Sequence, residues 1–471
     1  MFKPETYTGR RNALRAEVKS GIILFPGNTE AAFNYPANTY HFRQDSAFSY
    51  FFGINQPDLA GIIDLENGKD ILFGNDVDMD DIIWMGPQPS MADRGKLAGI
   101  NHTAPFAQLA VFVKEAVAQG RKVHFLPPYR GETKILLADL LGIAPAGLKA
   151  AASEELIKGV VKLRCIKSDE EVKEIEKMVD VAYLMHTTAM KMAHPGVVEQ
   201  QIAGTIEGIA LANAGPVSFP VILSMDGQTL HNHNHGNTLQ AGRMMVVDSG
   251  CESEETLYCS DITRTVPVGG KFSPRQKEIY EIVLKANTDA IAAIKPGVTY
   301  REIHLLAARV IAQGLKDAGL MKGDVDEAVK QGAHAMFFPH GLGHMLGMDV
   351  HDLEGVGENF VGYDDEVKRS DQFGTAFLRF GRRLQPGFVL TVEPGIYFIP
   401  ALIDQWKAEG KFTEFINYEK VESYKDFGGI RIEDDVLVTE KGFRVLGKPI
   451  PKTVEDIELL MSRETEDFVG L

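Results

Sequence analysis

The sequence holds only three cysteines in 471 residues, Cys165, Cys251 and Cys259. So low and odd a number excludes a disulfide framework and suits a reducing compartment. Cys251 and Cys259 could be read as metal ligands, but no second Cys or His pair stands at finger spacing, which favours buried or loop thiols. No apolar run approaches the ~20 residues of a membrane span. The opening MFKPETYTGRRNALRAEV has no apolar core and no small-residue cleavage site, so a soluble cytoplasmic protein is expected. Positive charge is also in short supply. Lys and Arg number 49 against 65 Asp and Glu, a formal charge of −16. Such a field repels phosphate backbones and anionic bilayers, so neither nucleic acid nor a membrane is an expected partner.

What is present is an ordinary globular balance, 44% hydrophobic and 24% charged, in a chain too long for one core of common size. Two domains are expected, over residues 1–160 and 161–471. In the first, residues 21–25 and 61–65 read as buried strands, and Gln108–Ala118 carries apolar residues at helical spacing. Strands alternating with helices point to an α/β domain. The second opens on a charged helical stretch, residues 168–193, whose Ser168 and Glu171 have the spacing of a capping box. An internal echo follows: Pro195-Gly196-Val197 before Ile202 repeats as Pro296-Gly297-Val298 before Ile303, 101 residues later. After residue 385 the text turns to strands, clearest at residues 388–393 and 429–438. The connection over residues 400–428 is long enough to be functional or to hold a helix.

Four apolar strand patterns in the second domain meet an acid: Asp248 ends one, Asp261 opens one, and Glu393 and Glu433 follow two more. One such acid is ordinarily a turn or cap residue. Four of them, with a histidine-rich glycine loop lying between the second and third, point elsewhere. That loop carries His340, His344 and His351 among glycines, which permit close backbone approach to a site. Carboxylates with imidazole suit Mn²⁺, Zn²⁺, Co²⁺ or Fe²⁺. Charge counting favours two ions: four carboxylates bring −4, two divalent cations +4, and without them the acids would repel one another and take up protons. Paired sites of this kind hold ions ~3.5–4 Å apart and generate a nucleophile at neutral pH. Arg431, two residues before Glu433, faces the same way if both lie on one strand. It would then reach the site, unless it forms a surface ion pair. The tract Leu230-His231-Asn232-His233-Asn234-His235 reads as a loop with one substrate-contacting histidine rather than a separate metal site.

Together these residues resemble the prolidase and aminopeptidase P family of pita-bread metallopeptidases. The motifs stand here as VVDSG, SDITRTVPVGGKF, HGLGHMLGMDVHD, LTVEPGIYF and GIRIEDD, within residues 244–438 and in the family's order. YHFRQDSAFSYFFGINQP, residues 40–57, is similar to the family's N-terminal domain. The resemblance implies an α/β N-terminal domain and an α+β catalytic domain of two pseudo-twofold halves around a curved antiparallel sheet. It implies metal ligands Asp248, Asp261, His344, Glu393 and Glu433, with Asp261 and Glu433 bridging two ions, Mn²⁺ first among the candidates. Glu393 would also serve as the proton carrier. His231, His340 and His351 would contact substrate and the tetrahedral intermediate, and Arg431 would stand beside the bridging glutamate. A homodimer is implied as well. One departure is visible: Asp248 and Asp261 are 13 apart, two more than the family's usual spacing, and an insertion of two preserves strand facing.

The reaction implied is hydrolysis of the bond before proline, in dipeptides or short peptides. A dipeptidase must also recognise its substrate's free carboxylate, and Arg379, in FLRFGRRLQPG, matches the prolidase arginine that does so. The other reading of Arg379 is a solvated basic patch with Arg382 and Arg383. An aminopeptidase P acting on Xaa-Pro-Yaa peptides is the alternative activity. A non-catalytic peptide- or protein-binding module on the same fold is the alternative of another class, and such a module should lack ligands.

Overall fold

A computed structural model describes residues 1–463. Residues 464–471, which sequence assigns to the second domain, lie outside the described residues. The chain divides into two compact units. The first comprises Met1–Arg164 with the short segments Glu255–Leu257 and Leu353–Phe360, and the second the remainder.

The first unit is built on a mixed five-stranded sheet. Strands β1 (Ile22–Pro26), β2 (Ala60–Asp64), β3 (Asp70–Phe73), β4 (His102–Ala104) and β5 (Val123–His124) lie in the order β4-β3-β2-β1-β5. The β1–β2 and β2–β3 pairs are antiparallel, while β4 and β5 add in parallel at the edges. β1 and β2 are buried, so their runs are continuously apolar rather than alternating. Helix α1 (Ser46–Phe52) starts where the Asp45 side chain accepts from Phe48 N and ends at Gly53, whose φ of 67° suits glycine. Its Phe51 packs 4.9 Å from Phe25. Helix α2 (Gln108–Ala118) buries Leu109, Val113 and Ala116, the i, i+4, i+7 stripe of its sequence, and α3 (Gly131–Leu141) adds Leu137 and Leu140 to the same core. Each large apolar side chain so buried contributes about 1.5–3 kcal/mol.

The second unit repeats one plan twice. Helix α4 (Asp169–Met192) opens with a reciprocal capping box in which Ser168 Oγ accepts from Glu171 N and Ser168 N donates to the Glu171 carboxylate. Helix α5 (Glu199–Asn213) follows a turn at Gly196, φ 91°. Three antiparallel strands come next, β6 (Ile222–Ser224), β7 (Met244–Ser249) and β8 (Ile262–Pro267), in the order β8-β7-β6. The plan then recurs. Helix α6 (Pro274–Ala293) leads through Gly297, φ 89°, to α7 (Tyr300–Asp317). The sheet of this half joins β9 (Val389–Val392), β12 (Asp434–Val438) and β13 (Phe443–Val445), and beside it β10 (Gly395–Tyr397) pairs with β11 (Gly429–Arg431), all antiparallel. Helices α5 and α7 begin 101 residues apart, the interval of the Pro-Gly echo. This is the two-halved antiparallel domain that the resemblance implies.

Two features differ from the sequence reading or resolve it. Residues 429–438 are not one strand. The run breaks at Ile432-Glu433, where it leaves partner β10 for partner β9, and Glu433 N turns aside to donate to Thr263 O of β8 (3.0 Å). The long connection holds two helices, α8 (Pro400–Ala408) and α9 (Tyr418–Glu422). The hairpin between Asp248 and Asp261 keeps one register to its tip: Ile262 faces Ser249, and Cys259 still faces Glu252. The extra residues are therefore absorbed beyond the ligand positions. Cys165, Cys251 and Cys259 are all buried, and none forms a disulfide among the described residues.

Candidate active site

The acids stand where strands end or break. Asp248 is the penultimate residue of β7, and Asp261 immediately precedes β8. Glu393 follows β9, and its N–H leaves the sheet to donate to Leu342 O (2.7 Å). Glu433 occupies the break between β11 and β12. The histidine loop is held against β9 by reciprocal bonds: His344 N donates to Thr391 Oγ1 (3.1 Å), and Thr391 N donates to His344 O. Gly343 makes this approach attainable, because a Cβ there would stand 2.1 Å from the Thr391 carbonyl oxygen.

These segments bring five side chains to one centre. Ligand atoms of Asp261, His344 and Glu433 all lie within 4.8 Å of one another. His344 Nε2 is 3.3 Å from Asp261 Oδ2 and 3.5 Å from Glu393 Oε1, and Asp248 is close enough to Asp261 to act on its charge. All five donors are buried or nearly so. His344 Nδ1 donates to Met345 O (2.9 Å), which leaves the Nε2 lone pair facing the carboxylates. Asp248 Oδ1 is buried without a hydrogen-bond partner among the described residues. Burial and the charge of Asp248 hold the Asp261 carboxyl well above its ordinary range. Burial and the charges of Asp261 and Glu393 do the same to Glu433. Glu393 is pushed up to about 7, by burial foremost and then by Asp261 against the opposing pull of His344. Converging acids with an orphaned oxygen and an oriented imidazole lone pair fit a divalent-metal centre.

Arg431 lies inside this cluster. Its Nη2 donates to Asp248 Oδ2 (2.7 Å), its Nε to Thr263 Oγ1 (3.1 Å) and its Nη1 to the Tyr397 hydroxyl (3.0 Å). Thr263 Oγ1 in turn donates to Glu433 Oε2 (2.7 Å). Arg431 and Glu433 thus meet at one hydroxyl although the strand between them is broken. His340 Nδ1 donates to Gly341 O and its Nε2 accepts from the Tyr397 hydroxyl (2.9 Å). Burial, and then Arg431, depress its pKa to about 3. The His351 ring is 4.2 Å from that of His344, and His231 is close enough to Arg431, Asp248 and His351 to feel their charges. His233 and His235 turn to the Val221 and Leu223 carbonyls instead. Arg379 is half-buried next to Leu378, whose Cα packs on Gly341. Arg383 is exposed and pairs with Glu366, while Arg382 lies over Phe380 and Phe388.

Sequence reasoning passed over Thr263, Thr391 and Tyr397. The two threonines stand two residues from Asp261 and Glu393, the spacing that on a strand shares a face, and this was the available signal. Tyr397 carried none.

Residues 173–440 match Metallopeptidase family M24, and residues 7–124 match the Aminopeptidase P, N-terminal domain. The Xaa-Pro dipeptidase of Homo sapiens is 32% identical over 94% of this chain and 90% of its own length. A probable Xaa-Pro aminopeptidase of Aspergillus niger is 31% identical over 97% of each chain. The solved structure of Pseudomonas aeruginosa aminopeptidase PepP superposes with a TM-score of 0.80, at 30% identity and covering 98% of both chains. With its five-donor centre, two-halved antiparallel domain and matches over most of its length, the chain belongs to metallopeptidase family M24.

Proposed function

We propose that this chain is a metal-dependent hydrolase of Xaa-Pro bonds, acting foremost on Xaa-Pro dipeptides. The observation that carries the reading is the convergence of Asp248, Asp261, His344, Glu393 and Glu433, drawn from five places in the sequence, on one buried centre. Charge supports two ions. Four carboxylates give −4, and the buried Arg431 raises this to −4 + 1 = −3; two divalent cations then leave +1, room for a single anion. A donor set rich in carboxylate oxygen with one imidazole suits Mn²⁺. In this reading Asp248, Asp261, His344, Glu393 and Glu433 would together hold the ions.

Bound there, a cation pair supplies a nucleophilic water at neutral pH and polarises the scissile carbonyl. The protein's part is positional. Arg431 holds Asp248, Thr263 holds Glu433, and the Met345 carbonyl fixes the His344 tautomer. Glu393, the least enclosed of the four carboxylates, is placed to take a proton at the attacking side and return it to the departing proline nitrogen. His231 and His351 stand to steady the carbonyl oxygen as it gains charge, and His340 and Arg431 to contact substrate.

Arg379 supports the dipeptide preference, as a guanidinium next to the histidine loop suited to a free carboxylate. Aminopeptidase P activity on Xaa-Pro-Yaa peptides is the second reading, supported by relatives and solved structures of that name. The complete donor set speaks against a non-catalytic binding module. Domains over 1–160 and 161–471, a homodimer and cytoplasmic residence belong to the same proposal. The dimer rests on resemblance, and the location on three buried cysteines without a disulfide among the described residues. No described helix is long and apolar enough to cross a membrane. The test compares Ala-Pro and Ala-Pro-Ala hydrolysis after chelation and after Mn²⁺ readdition, with metal analysis. Two ions per chain and restored cleavage are expected, fastest on the dipeptide; cleavage indifferent to chelation overturns the reading.

A further inference from the structure

The two halves share more than their Pro-Gly turns. His186 of α4 and Asn287 of α6 are 101 residues apart, the interval of the internal repeat, and both are completely enclosed. Each reaches backbone carbonyl groups next to acids of its own half. His186 Nε2 lies 3.1 Å from Ser249 O, with the Ile262 backbone near enough to act on the ring, and these residues directly follow Asp248 and Asp261. The Asn287 amide donates to Val392 O (3.0 Å) and Ile432 O (3.4 Å), which directly precede Glu393 and Glu433. Asn287 Oδ1 accepts from Lys452 Nζ (2.8 Å), which orients the amide with its donors toward the strands.

We propose that His186 and Asn287 are equivalent positioning residues, each a clasp that sets the separation of the two carboxylates in its half and thereby the affinity for a metal pair. The physical need is plain. Ser249 pairs with Ile262 and Val392 with Asp434 in the ladders, but Ile432 stands opposite Pro394, which has no N–H to give, and a buried orphan carbonyl is costly. The Asn287 amide, shared between two carbonyls, supplies that donor and ties together the backbones that carry the ligands, and His186 holds the Ser249 carbonyl next to Asp248. In the second half Val392 is the last residue of the β9 pairing and Ile432 lies in the break between β11 and β12, so the Asn287 amide spans an interruption of the ladder. The two clasps differ in chemistry, a ring and an amide, but not in place or in partner type.

The proposal rests on the five donors being metal ligands, and the experiment separates the two ideas. Mn²⁺ isotherms and the exchange-coupled dinuclear EPR signal are measured on wild type, Asn287→Leu and Asn287→His, alongside urea unfolding of each apoprotein. Outer partners of ligands are worth about 10–100-fold in metal affinity. Asn287→Leu, similar in volume but without a donor, is expected to weaken at least one Mn²⁺ by that factor and to lose the coupled signal at stoichiometric metal. Asn287→His, which installs the other half's donor, is expected to recover both. If the leucine protein does not fold, Asn287→Ser, too short to span both carbonyls, is scored by the same measurements. Wild-type affinity and coupling in the donor-deficient variant, with only apoprotein stability reduced, overturns the clasp and leaves the metal reading intact. A wild type that binds no Mn²⁺ pair overturns the metal reading itself.

Discussion

His304 and His334 make the chain's stability sensitive to mild acid, by an amount the structure allows to be worked out. Both are fully buried, their ring centroids are 6.5 Å apart, and none of their four ring nitrogens has a hydrogen-bond partner among the described residues. Burial, with the neighbouring histidines, lowers the His304 pKa to about 3; burial lowers that of His334 to about 4. An unfolded histidine titrates near 6.5. Between these values the unfolded chain binds the proton and the folded chain does not, so stability rises with pH and is lost as pH falls through 6.5. From pH 7.5 to 5.0 each ring costs about 2 kcal/mol, the pair about 4, set against a total of roughly 5–15 kcal/mol. The assay is urea unfolding of wild type and of His304→Leu/His334→Leu at both pH values, with metal held constant. The double variant is expected to lose about 4 kcal/mol less on acidification than wild type, and to be little changed at pH 7.5 because no hydrogen bond is removed. An acid loss as steep in the variant as in wild type would refute the assignment of these rings as buried and neutral.

Other outcomes follow from the site. Glu393→Gln keeps the side chain's shape but removes its proton-carrying role, so turnover of Ala-Pro should fall about 10²–10⁴-fold; near-normal turnover removes Glu393 from that role. Arg379→Ala should depress dipeptide cleavage far more than cleavage of Ala-Pro-Ala, and equal losses would dismiss it as a carboxylate clamp. Gly343→Ala drives a methyl into the Thr391 carbonyl and so displaces the histidine loop. About 1–3 kcal/mol of stability should go, together with Mn²⁺ affinity, by urea unfolding and metal titration.

Much of this was written in local patterns. The apolar runs of β1, β2 and β7, the i, i+4, i+7 stripe of α2 and the Ser168 capping box each depend on neighbours in sequence, and each element forms where its residues put it. The acids at strand ends and the glycines around His340 and His344 were visible for the same reason. Their meeting was not, since no local rule carries Asp248 to Glu433 across 185 residues; the combination of acids and histidines, and then the resemblance, suggested it. Tertiary structure alone decided the break at Ile432-Glu433, where the strand is interrupted and Glu433 N bonds to the Thr263 carbonyl. It also decided that Arg431 is buried among the acids, which alters the charge count from −4 to −3. Finally, it gave the 101-residue echo its content, because a repeated Pro-Gly marks two similar turns, whereas His186 and Asn287 become equivalent only when the folded strands present their carbonyls to them.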